Sequence, residues 1–273
     1  MDGLVERQFG RIGARVRVHD PERPRHPAWR SDAVNSQGIR LYVRKDGHGE
    51  FFDVQVDRRL ASVEVLDARP AERHLLLMAR NLASGTKEKF LCGHDERSWF
   101  VAAVPGRSVS NVATAMEALK PVQVRVEQAR RAVSTKDRKR RRNSAYIRQG
   151  EWFFIPVGDI EVPSERVFRN EPIRRGAGKP HMVEHLARLG GETVYVSARY
   201  PNGVAEAEYR DLLAKNPKMR RGRWQIMRRN ARAYAKGRVS HSDHKTVYLN
   251  GWHRVLMNTE TEAPAMQSVA FLD

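Results

Sequence analysis

Residues 75–104 read LLLMARNLASGTKEKFLCGHDERSWFVAAV, and this stretch decides the fold of the first part of the chain. It contains two continuous apolar runs, Leu75–Ala79 and Trp99–Val104, with the turn signal Ser84-Gly85 between them. Apolar runs of about four to eight residues that are bounded by turn residues are typical of strands buried on both faces. The stretch therefore predicts neighbouring strands of one antiparallel sheet.

The strand pattern extends from this stretch towards the N-terminus. Apolar and polar residues alternate in Arg11–Val18, Ile39–Val43 and Phe52–Val56, which is the period of a strand with one buried face. Closely spaced strands with short turns are typical of an antiparallel sandwich or small barrel. We therefore predict such a β domain over residues 1–108, with the Pro-rich segment Asp20–Gln37 as a long loop.

Residues 109–145 change to a helical period. Apolar residues recur every three or four positions from Val112 to Leu119, and again from Val122 to Val133. Pro121 lies between the two runs and favours the start of a second helix. Because a strongly basic run follows, we predict that residues 109–145 form a basic helical connector.

The remaining residues, 146–273, mix both periods and predict an α+β domain. Helices are expected at Pro180–Leu189 and Ala205–Leu213. Strands are expected at four further positions: Glu151–Val157, Thr193–Val196, Thr246–Leu249 and His253–Met257. The whole chain is thus predicted to be of the α+β class.

The charge balance is the strongest indication of a binding partner. Fifty Lys and Arg stand against thirty-two Asp and Glu, which gives a formal net charge of +18. Such a surplus creates a positive field that attracts polyanions, and the predominance of Arg suits phosphate contacts. Nucleic acid is therefore the expected partner.

The sequence also bears on the compartment. The one cysteine, Cys92, cannot form an intramolecular disulfide, and the first residues lack the apolar run of a signal peptide. No apolar stretch reaches the length of a membrane span, so we expect no membrane partner and a cytoplasmic location. Cys92 is either an inert packing residue or a thiolate beside His94.

Three basic segments are the expected nucleic-acid contacts. Eight of the thirteen residues 130–142 are Lys or Arg, and so are nine of the twenty-one residues 218–238, where Trp224 and Tyr234 are interleaved. Because an aromatic ring among arginines can stack on an unpaired base, RNA or single strands are favoured. The alternative is a solvated linker and a surface helix whose Trp224 belongs to the core. The predicted contact residues are Arg130, Arg131, Lys136, Arg138, Lys139, Arg140, Arg141, Arg142, Arg174, Arg175, Lys179, Arg220, Arg221, Arg223, Trp224, Arg228 and Arg229.

The segment Arg174–Pro180 is rich in glycine and precedes the predicted helix Pro180–Leu189. Backbone amides at a helix start can hold a phosphate, whereas the alternative is a plain turn before a proline-started helix. The same helix would place His181 and His185 on one face, which formally matches the H-x-x-E-H pattern of zinc peptidases. A third ligand is missing from that pattern, so surface histidines near phosphate are the alternative.

A second histidine group lies near the C-terminus and includes His241, Asp243 and His244. A hairpin turn at Asn250-Gly251 would bring His253 into cross-strand range of His244. Such a set can bind a divalent metal or act in general acid/base attack on a phosphodiester. The alternative is that Asp243 caps a turn and the histidines are polar residues at the rim.

Taken together, the sequence predicts a nucleic-acid-binding protein that acts through phosphate contacts. One alternative is a nuclease or other phosphodiesterase, metal-dependent or histidine-based, centred on the C-terminal histidines. A second alternative is a basic adaptor subunit of a larger ribonucleoprotein or protein assembly. No cofactor is certain from the sequence, and a divalent metal is the one candidate.

Overall fold

The structure, a computed structural model, describes most of the chain, namely residues 2–21, 34–36, 38–106, 108–175 and 178–263. Within these ranges the protein is of the α+β class, with four sheets and few helices, as the sequence predicts. Most of the predicted loop Asp20–Gln37 lies outside the described residues. No helix in the described part of the chain combines the length and the apolar character that a bilayer crossing needs.

The chain begins with a helix that was not predicted, and the predicted strand Arg11–Val18 is present only from Val16 onwards. The helix is α1 (Asp2–Arg11), and strand β1 (Val16–His19) follows it. Val5 and Phe9 are buried, because their spacing of four residues places them on one helical face, and Ile12 is buried in the turn that follows the helix. The first sheet is completed by three strands, β2 (Val34–Ser36), β3 (Ile39–Asp46) and β4 (Gly49–Val56). Its strand order is β1-β4-β3-β2, in which β1 and β4 are parallel and the other pairs are antiparallel.

The second sheet is an antiparallel meander in the order of the chain. Its strands are β5 (Ala61–Arg69), β6 (His74–Asn81), β7 (Lys87–Asp95) and β8 (Ser98–Val104). Leu75 and Leu77 pack with Phe52 of the first sheet in one buried cluster, whereas Leu76 belongs to a cluster on the opposite face. The two sheets form the predicted sandwich, and the described strands close no barrel. The continuous apolar run is explained because both faces of β6 are covered.

The two predicted short helices of the connector are present. They are α2 (Val112–Ala118) and α3 (Val122–Arg130), and Pro121 is the N-cap residue of α3. Helix α2 covers the second face of the meander through Val112 and Ala115. Asn111 caps this helix in a capping box, since its side chain accepts a hydrogen bond from the Thr114 backbone at 2.9 Å.

The C-terminal part is built on a six-stranded antiparallel sheet. Four of its strands precede a small inserted unit: β9 (Ile147–Gln149), β10 (Trp152–Pro156), β11 (Val167–Ile173) and β12 (His181–Leu189). The inserted unit contains β13 (Glu192–Ser197), β14 (Tyr200–Ala205), α4 (Glu206–Lys215) and β15 (Gln225–Arg229). The last two strands are β16 (Arg232–Ser240) and β17 (Val247–Met257). The order in the large sheet is β11-β12-β16-β17-β10-β9, and in the small sheet it is β14-β13-β15.

Two predictions for this part are wrong. Pro180–Leu189 is not helical, because residues 181–189 form strand β12 between two hydrogen-bonded neighbours, and that pairing outweighs local helical spacing. Asn250-Gly251 is not a hairpin turn either. Strand β17 runs through it, and the register against β16 shifts between Ala235 and Gly237 at this point. Gly251, with φ of 77°, supplies its positive φ to a bulge rather than to a turn.

Charged contacts join the sandwich to the large sheet. Asp95 on β7 accepts hydrogen bonds from the guanidinium groups of Arg141 and Arg148, the latter at 3.2 Å. Glu260 is 2% exposed, pairs with Arg175 and accepts a hydrogen bond from the Ala103 backbone at 3.2 Å. These carboxylates are therefore part of the boundary between the two regions.

We predict that Glu260→Ala lowers the free energy of unfolding by about 3–5 kcal/mol, since it removes one partner of a buried ion pair. Urea denaturation followed by tryptophan fluorescence measures this change. The control is Glu161→Ala at an exposed position, which should stay within about 0.5 kcal/mol of the parent. Equal unfolding midpoints for both variants would show that the Glu260 contact does not stabilise the boundary.

Candidate functional site

A cleft of about 990 Å³ lies between the sandwich and the large sheet. The sandwich contributes residues of β7 and β8 to its wall, including Asp95 and Trp99. The large sheet contributes Glu151 and His181, and the turn between β16 and β17 contributes His241 and two neighbours. Ligands usually bind in concave sites of this kind, where two regions meet and a few polar groups converge.

Three histidines meet in this cleft. The ring centroids of His181 and His241 are 4.2 Å apart, those of His241 and His244 are 4.7 Å apart, and those of His181 and His244 are 5.5 Å apart. One ligand nitrogen from each ring lies within 4.8 Å of the others. His181 is 1% exposed, and the other two are half-buried. The cluster is therefore enclosed on one side and open to the cleft on the other.

The large sheet folds back on itself to build this cluster. Gln149 lies on edge strand β9, which β10 and β17 separate from β16 in the strand order. Its side-chain amide nevertheless donates to the backbone carbonyls of Val239 at 3.1 Å and Lys245 at 2.6 Å. The edge of the sheet thus reaches the turn that carries His241 and His244.

This contact also determines the protonation of His181. Because the Gln149 amide nitrogen is used for two carbonyls, its oxygen must face the Nδ1 of His181, 2.9 Å away. An oxygen acceptor requires the proton on Nδ1. The other ring nitrogen, Nε2, faces the Glu151 carboxylate, whose Oε2 lies 3.5 Å away. The arrangement is that of a histidine oriented by an amide behind it.

Gly150 is needed for the rings to approach so closely. It begins the two-residue turn between β9 and β10, where a φ of 56° suits glycine. A Cβ at this position would lie 2.7 Å from His244 Nε2 and 3.2 Å from His181 Cε1. A side chain at residue 150 would therefore displace the cluster.

Burial and neighbouring charges shift the pKa values of His241, His244 and Glu151. Burial, and after it the neighbouring charges of His181 and His241, lower the pKa of His244 to about 4. Burial and then His181 also lower the pKa of His241. Burial by itself would raise the pKa of Glu151, but a proton on Nε2 of His181, through its hydrogen bond and charge, and the charge of Arg175 lower this pKa to about 2. At neutral pH His241 and His244 therefore offer neutral ring nitrogens near the Glu151 anion.

His241 and Asp243 are held in a different way. The backbone N–H of Asp243 donates to His241 Nδ1 at 3.1 Å, so the proton of the neutral ring is on Nε2. The Asp243 carboxylate accepts two hydrogen bonds from Lys179 Nζ, both at 2.9 Å, and one from Ser242. Burial raises the pKa of Asp243, but these bonds outweigh it and hold the pKa below its usual range. Asp243 is thus engaged by a cation and not directly by the rings.

His253 does not join the cluster. It is 4% exposed on β17, opposite Ala235 and Pro156, and its Nδ1 lies 3.1 Å from the Gly251 carbonyl. The prediction that placed it beside His244 is wrong, because it required a hairpin turn where the structure has a bulge.

The partners of His241 and His244 were not predicted from the sequence. His181 was assigned to a helix with His185, whereas four residues along strand β12 span about 13 Å, which separates the two rings. Gln149 and Glu151 carried no predicted role. The signal present in the sequence was the glycine between two polar residues at 149–151, directly before an aromatic strand.

The connector cations are mostly engaged with acids. Glu127 binds Arg130 and Arg131, and Asp137 binds Arg140 at 3.1 Å. The remaining predicted connector contacts fall into three groups: Lys139 near Glu72 at 3.6 Å, Arg141 on Asp95 and Glu96, and Arg138 donating to the Val133 carbonyl. Lys136 and Arg142 are exposed. Much of the charge of this run is therefore neutralised within the fold.

The glycine-rich segment is similarly tied to carboxylates. Arg175 pairs with Glu260 and Lys179 pairs with Asp243, while Arg174 is exposed. Gly176 and Ala177, which were to hold a phosphate, lie outside the described residues. The segment directly after Pro180 is strand β12 and not a helix, so Pro180 does not begin a helix that could hold a phosphate.

The inserted unit presents a different pattern. Lys218, Arg220, Arg221 and Arg223 are exposed, and none has a carboxylate partner among the described residues. On the adjoining strand, two other predicted contacts are engaged: Arg228 donates to the Gly190 carbonyl at 2.8 Å, and Arg229 binds Glu192 at 2.8 Å.

Trp224 packs within the inserted unit. Its ring stacks on Tyr200 with centroids 5.6 Å apart, and it forms a T-shaped contact with Tyr209 with centroids 4.9 Å apart. The indole N–H donates to the Met219 carbonyl at 2.9 Å. One face of the ring is thus already covered, which favours the structural alternative for Trp224.

Cys92 is buried in the core of the sandwich. Burial raises the pKa of its thiol far above the usual range, so it remains protonated. An inert packing role follows, because the thiolate is the reactive form.

Comparison of the sequence with protein-family models, with curated proteins and with solved structures finds no match.

We predict that Gly150→Ala destabilises the protein by about 1–3 kcal/mol, because a non-glycine residue is strained at positive φ and the new methyl group meets His244. Thermal unfolding followed by circular dichroism measures the loss. Gly158→Ala is the matched control, since a Cβ at Gly158 would meet no atom within 4 Å. If both variants melted at the same temperature, the close packing at Gly150 would not be present in solution.

Proposed function

We propose that the protein binds nucleic acid, and that the exposed segment Lys218–Arg223 makes the leading phosphate contacts. One observation carries the proposal: four of the six residues in this segment are cations, and none has a carboxylate partner among the described residues. Most of the connector cations are paired within the fold. The segment is therefore the best candidate surface for an external polyanion.

The physical argument concerns uncompensated charge. Like charges close together repel one another in the free protein, and a bound phosphate backbone would relieve that repulsion. Each neutralised phosphate also releases counterions, which gives affinity without sequence preference. The net charge of +18 adds a long-range attraction of the same sign. Since the Trp224 ring is engaged with Tyr200, the proposal rests on phosphate contacts and not on base stacking.

A second candidate function is hydrolysis of a phosphodiester in the cleft. It is favoured by the neutral rings of His241 and His244 beside the ionised Glu151. A carboxylate or imidazole there can take a proton from an attacking water. Lys179 and Arg175 line the cleft and can stabilise the developing charge if the substrate shares them with their partners Asp243 and Glu260. The adaptor role and the cytoplasmic location remain predictions.

The binding proposal predicts a change in salt dependence when Lys218, Arg220, Arg221 and Arg223 are all replaced by Ser. Each lost phosphate contact reduces the log–log salt slope by about 0.7 to 0.9, so the slope should flatten by about 3. Fluorescence anisotropy with labelled single-stranded RNA and with a DNA duplex, over a series of salt concentrations, measures the slope for both forms of nucleic acid.

The matched control replaces Arg130, Arg131, Lys139 and Arg140 by Ser, which removes the same formal charge from cations that are paired with acids. Its slope should change by less than half as much. Equal changes in the two variants would mean that only total charge matters, and a larger change in the control would assign the interface to the connector.

The hydrolysis candidate predicts that labelled RNA or DNA is cleaved by the parent and that Glu151→Gln slows cleavage by about 10²–10⁴-fold. Binding by the same variant should stay within a few-fold, because the exposed cations are unchanged. Gel analysis with and without added divalent metal provides the measurement. Intact nucleic acid after long incubation with the parent, under every metal condition, would exclude this candidate and leave the binding proposal standing.

A further inference from the structure

We propose that His181, His241 and His244 bind one divalent d-block metal ion of the zinc class, with the Glu151 carboxylate as fourth ligand. The proposal goes beyond nucleic-acid binding and does not depend on it. It rests on the geometry of the cluster, on the atoms that have no other partner, and on the residues that hold the rings from behind.

The spacing of the donor atoms is close to that of a tetrahedral site. With metal–ligand bonds of about 2.0–2.1 Å, neighbouring ligand atoms of a tetrahedral zinc are about 3.3 Å apart. The Nε2 of His181 and the Oε2 of Glu151 are already 3.5 Å apart. The three ring nitrogens lie within 4.8 Å of one another, so modest side-chain rotations would complete the site. Two of these rings are on a turn, which is easier to adjust than a strand.

The donor atoms are also placed so that a bound cation would stabilise them. The Gln149 oxygen accepts from Nδ1 of His181, and the Nε2 of the same ring faces a carboxylate oxygen of Glu151. Two electron-rich atoms in that position repel each other unless a proton or a metal ion lies between them. His244 adds a buried Nδ1 with no hydrogen-bond partner in the described structure. Its Nε2 faces the Gly150 turn, 2.7 Å from where a Cβ would stand.

Residues outside the ligand set orient the rings as in known metal sites. A metal-bound histidine usually directs its other nitrogen to a carboxylate or a carbonyl oxygen. Gln149 fills that role behind His181, whereas Nδ1 of His244 has no hydrogen-bond partner in the described structure. A glycine at residue 150 leaves room for both rings.

His241 is the exception and gives the proposal a distinctive prediction. Its Nδ1 accepts the Asp243 backbone N–H, so the neutral ring carries its proton on Nε2. A metal can take this ligand only after the ring turns and that hydrogen bond breaks. His241 should therefore contribute less to affinity than His244.

The ligand types select the metal. Imidazole nitrogen suits zinc, copper, nickel and cobalt, whereas magnesium and calcium prefer oxygen ligands. With three imidazoles and one carboxylate, the site should bind Zn²⁺ and Co²⁺ and leave Mg²⁺ and Ca²⁺ unbound at comparable concentrations.

The test uses the full-length chain without an affinity tag, stripped of metal by a chelator and then dialysed free of it. Isothermal titration with ZnCl₂ should give one site per chain, and Co²⁺ should produce the visible absorption of tetrahedral cobalt. Zinc should also raise the melting temperature of the parent, since a ligand that binds only the folded state stabilises it, and chelator should reverse the shift. Absence of stoichiometric binding and of any melting shift would overturn the proposal.

Variants locate the site. His244→Ala should weaken zinc binding by about 100-fold or more, and Glu151→Gln and His241→Ala by about 10-fold each. The control is His185→Ala, which removes a half-buried histidine of β12 outside the cluster and should bind as the parent does. Parent-like binding by His244→Ala and Glu151→Gln together would place the metal elsewhere and overturn the assignment. If His244→Ala failed to fold, His241→Ala and Glu151→Gln would still decide, because their side chains are partly exposed.

Discussion

The site depends on the close approach of two imidazole rings to the backbone at Gly150. Only a residue without a Cβ fits there, and the positive φ of the turn is the conformation that glycine adopts without strain. The same turn places Gln149 behind His181 and Glu151 in front of it. One two-residue turn thus fixes the orientation of the His181 ring, the position of the Glu151 carboxylate and the space for His244.

That turn is tied to the sandwich through the strand that precedes it. Arg148 on β9 reaches Asp95 on β7, and Arg141 reaches both Asp95 and Glu96. The cleft therefore exists because cations of the large sheet and the connector meet carboxylates of the sandwich. This explains how a chain with a charge of +18 keeps a compact boundary, since part of its positive charge is neutralised where the two regions meet. It also explains why the connector, which has the densest run of Lys and Arg in the sequence, is not the basic segment that is most available to an external polyanion.

Local periodicity was enough to predict much of the fold. The apolar runs at residues 75–79 and 99–104 are strands, and the helical spacing on either side of Pro121 gives two short helices. Features that depend on distant partners were not predictable in this way. Strand β12 has a locally helical spacing, and its neighbours β11 and β16 decide its conformation. Gly251 has the sequence of a hairpin turn and serves as a bulge, because β17 continues its pairing past it.

The candidate site was predictable only in the part that is contiguous in sequence. His241 and His244 are three residues apart and were identified together, whereas His181 lies sixty residues before His241 and was assigned to the wrong element. Gln149 and Glu151 reach the cluster only because the edge of the sheet folds back over β16. Curvature of this kind depends on long-range packing and leaves no mark in a local pattern. For the same reason the pairing of connector cations with acids was not visible in the sequence.

The most direct test of this account is the tautomer of His181 in the metal-free protein. Long-range ¹H–¹⁵N correlation spectra of the imidazole rings, recorded at about pH 8.5 where an ordinary histidine is neutral, report which nitrogen carries the proton. We expect a proton on Nδ1 of His181, with the assignment confirmed by loss of the signal in His181→Gln. A proton on Nε2 with Nδ1 bare would mean that Gln149 does not orient this ring and that the site is not built as described.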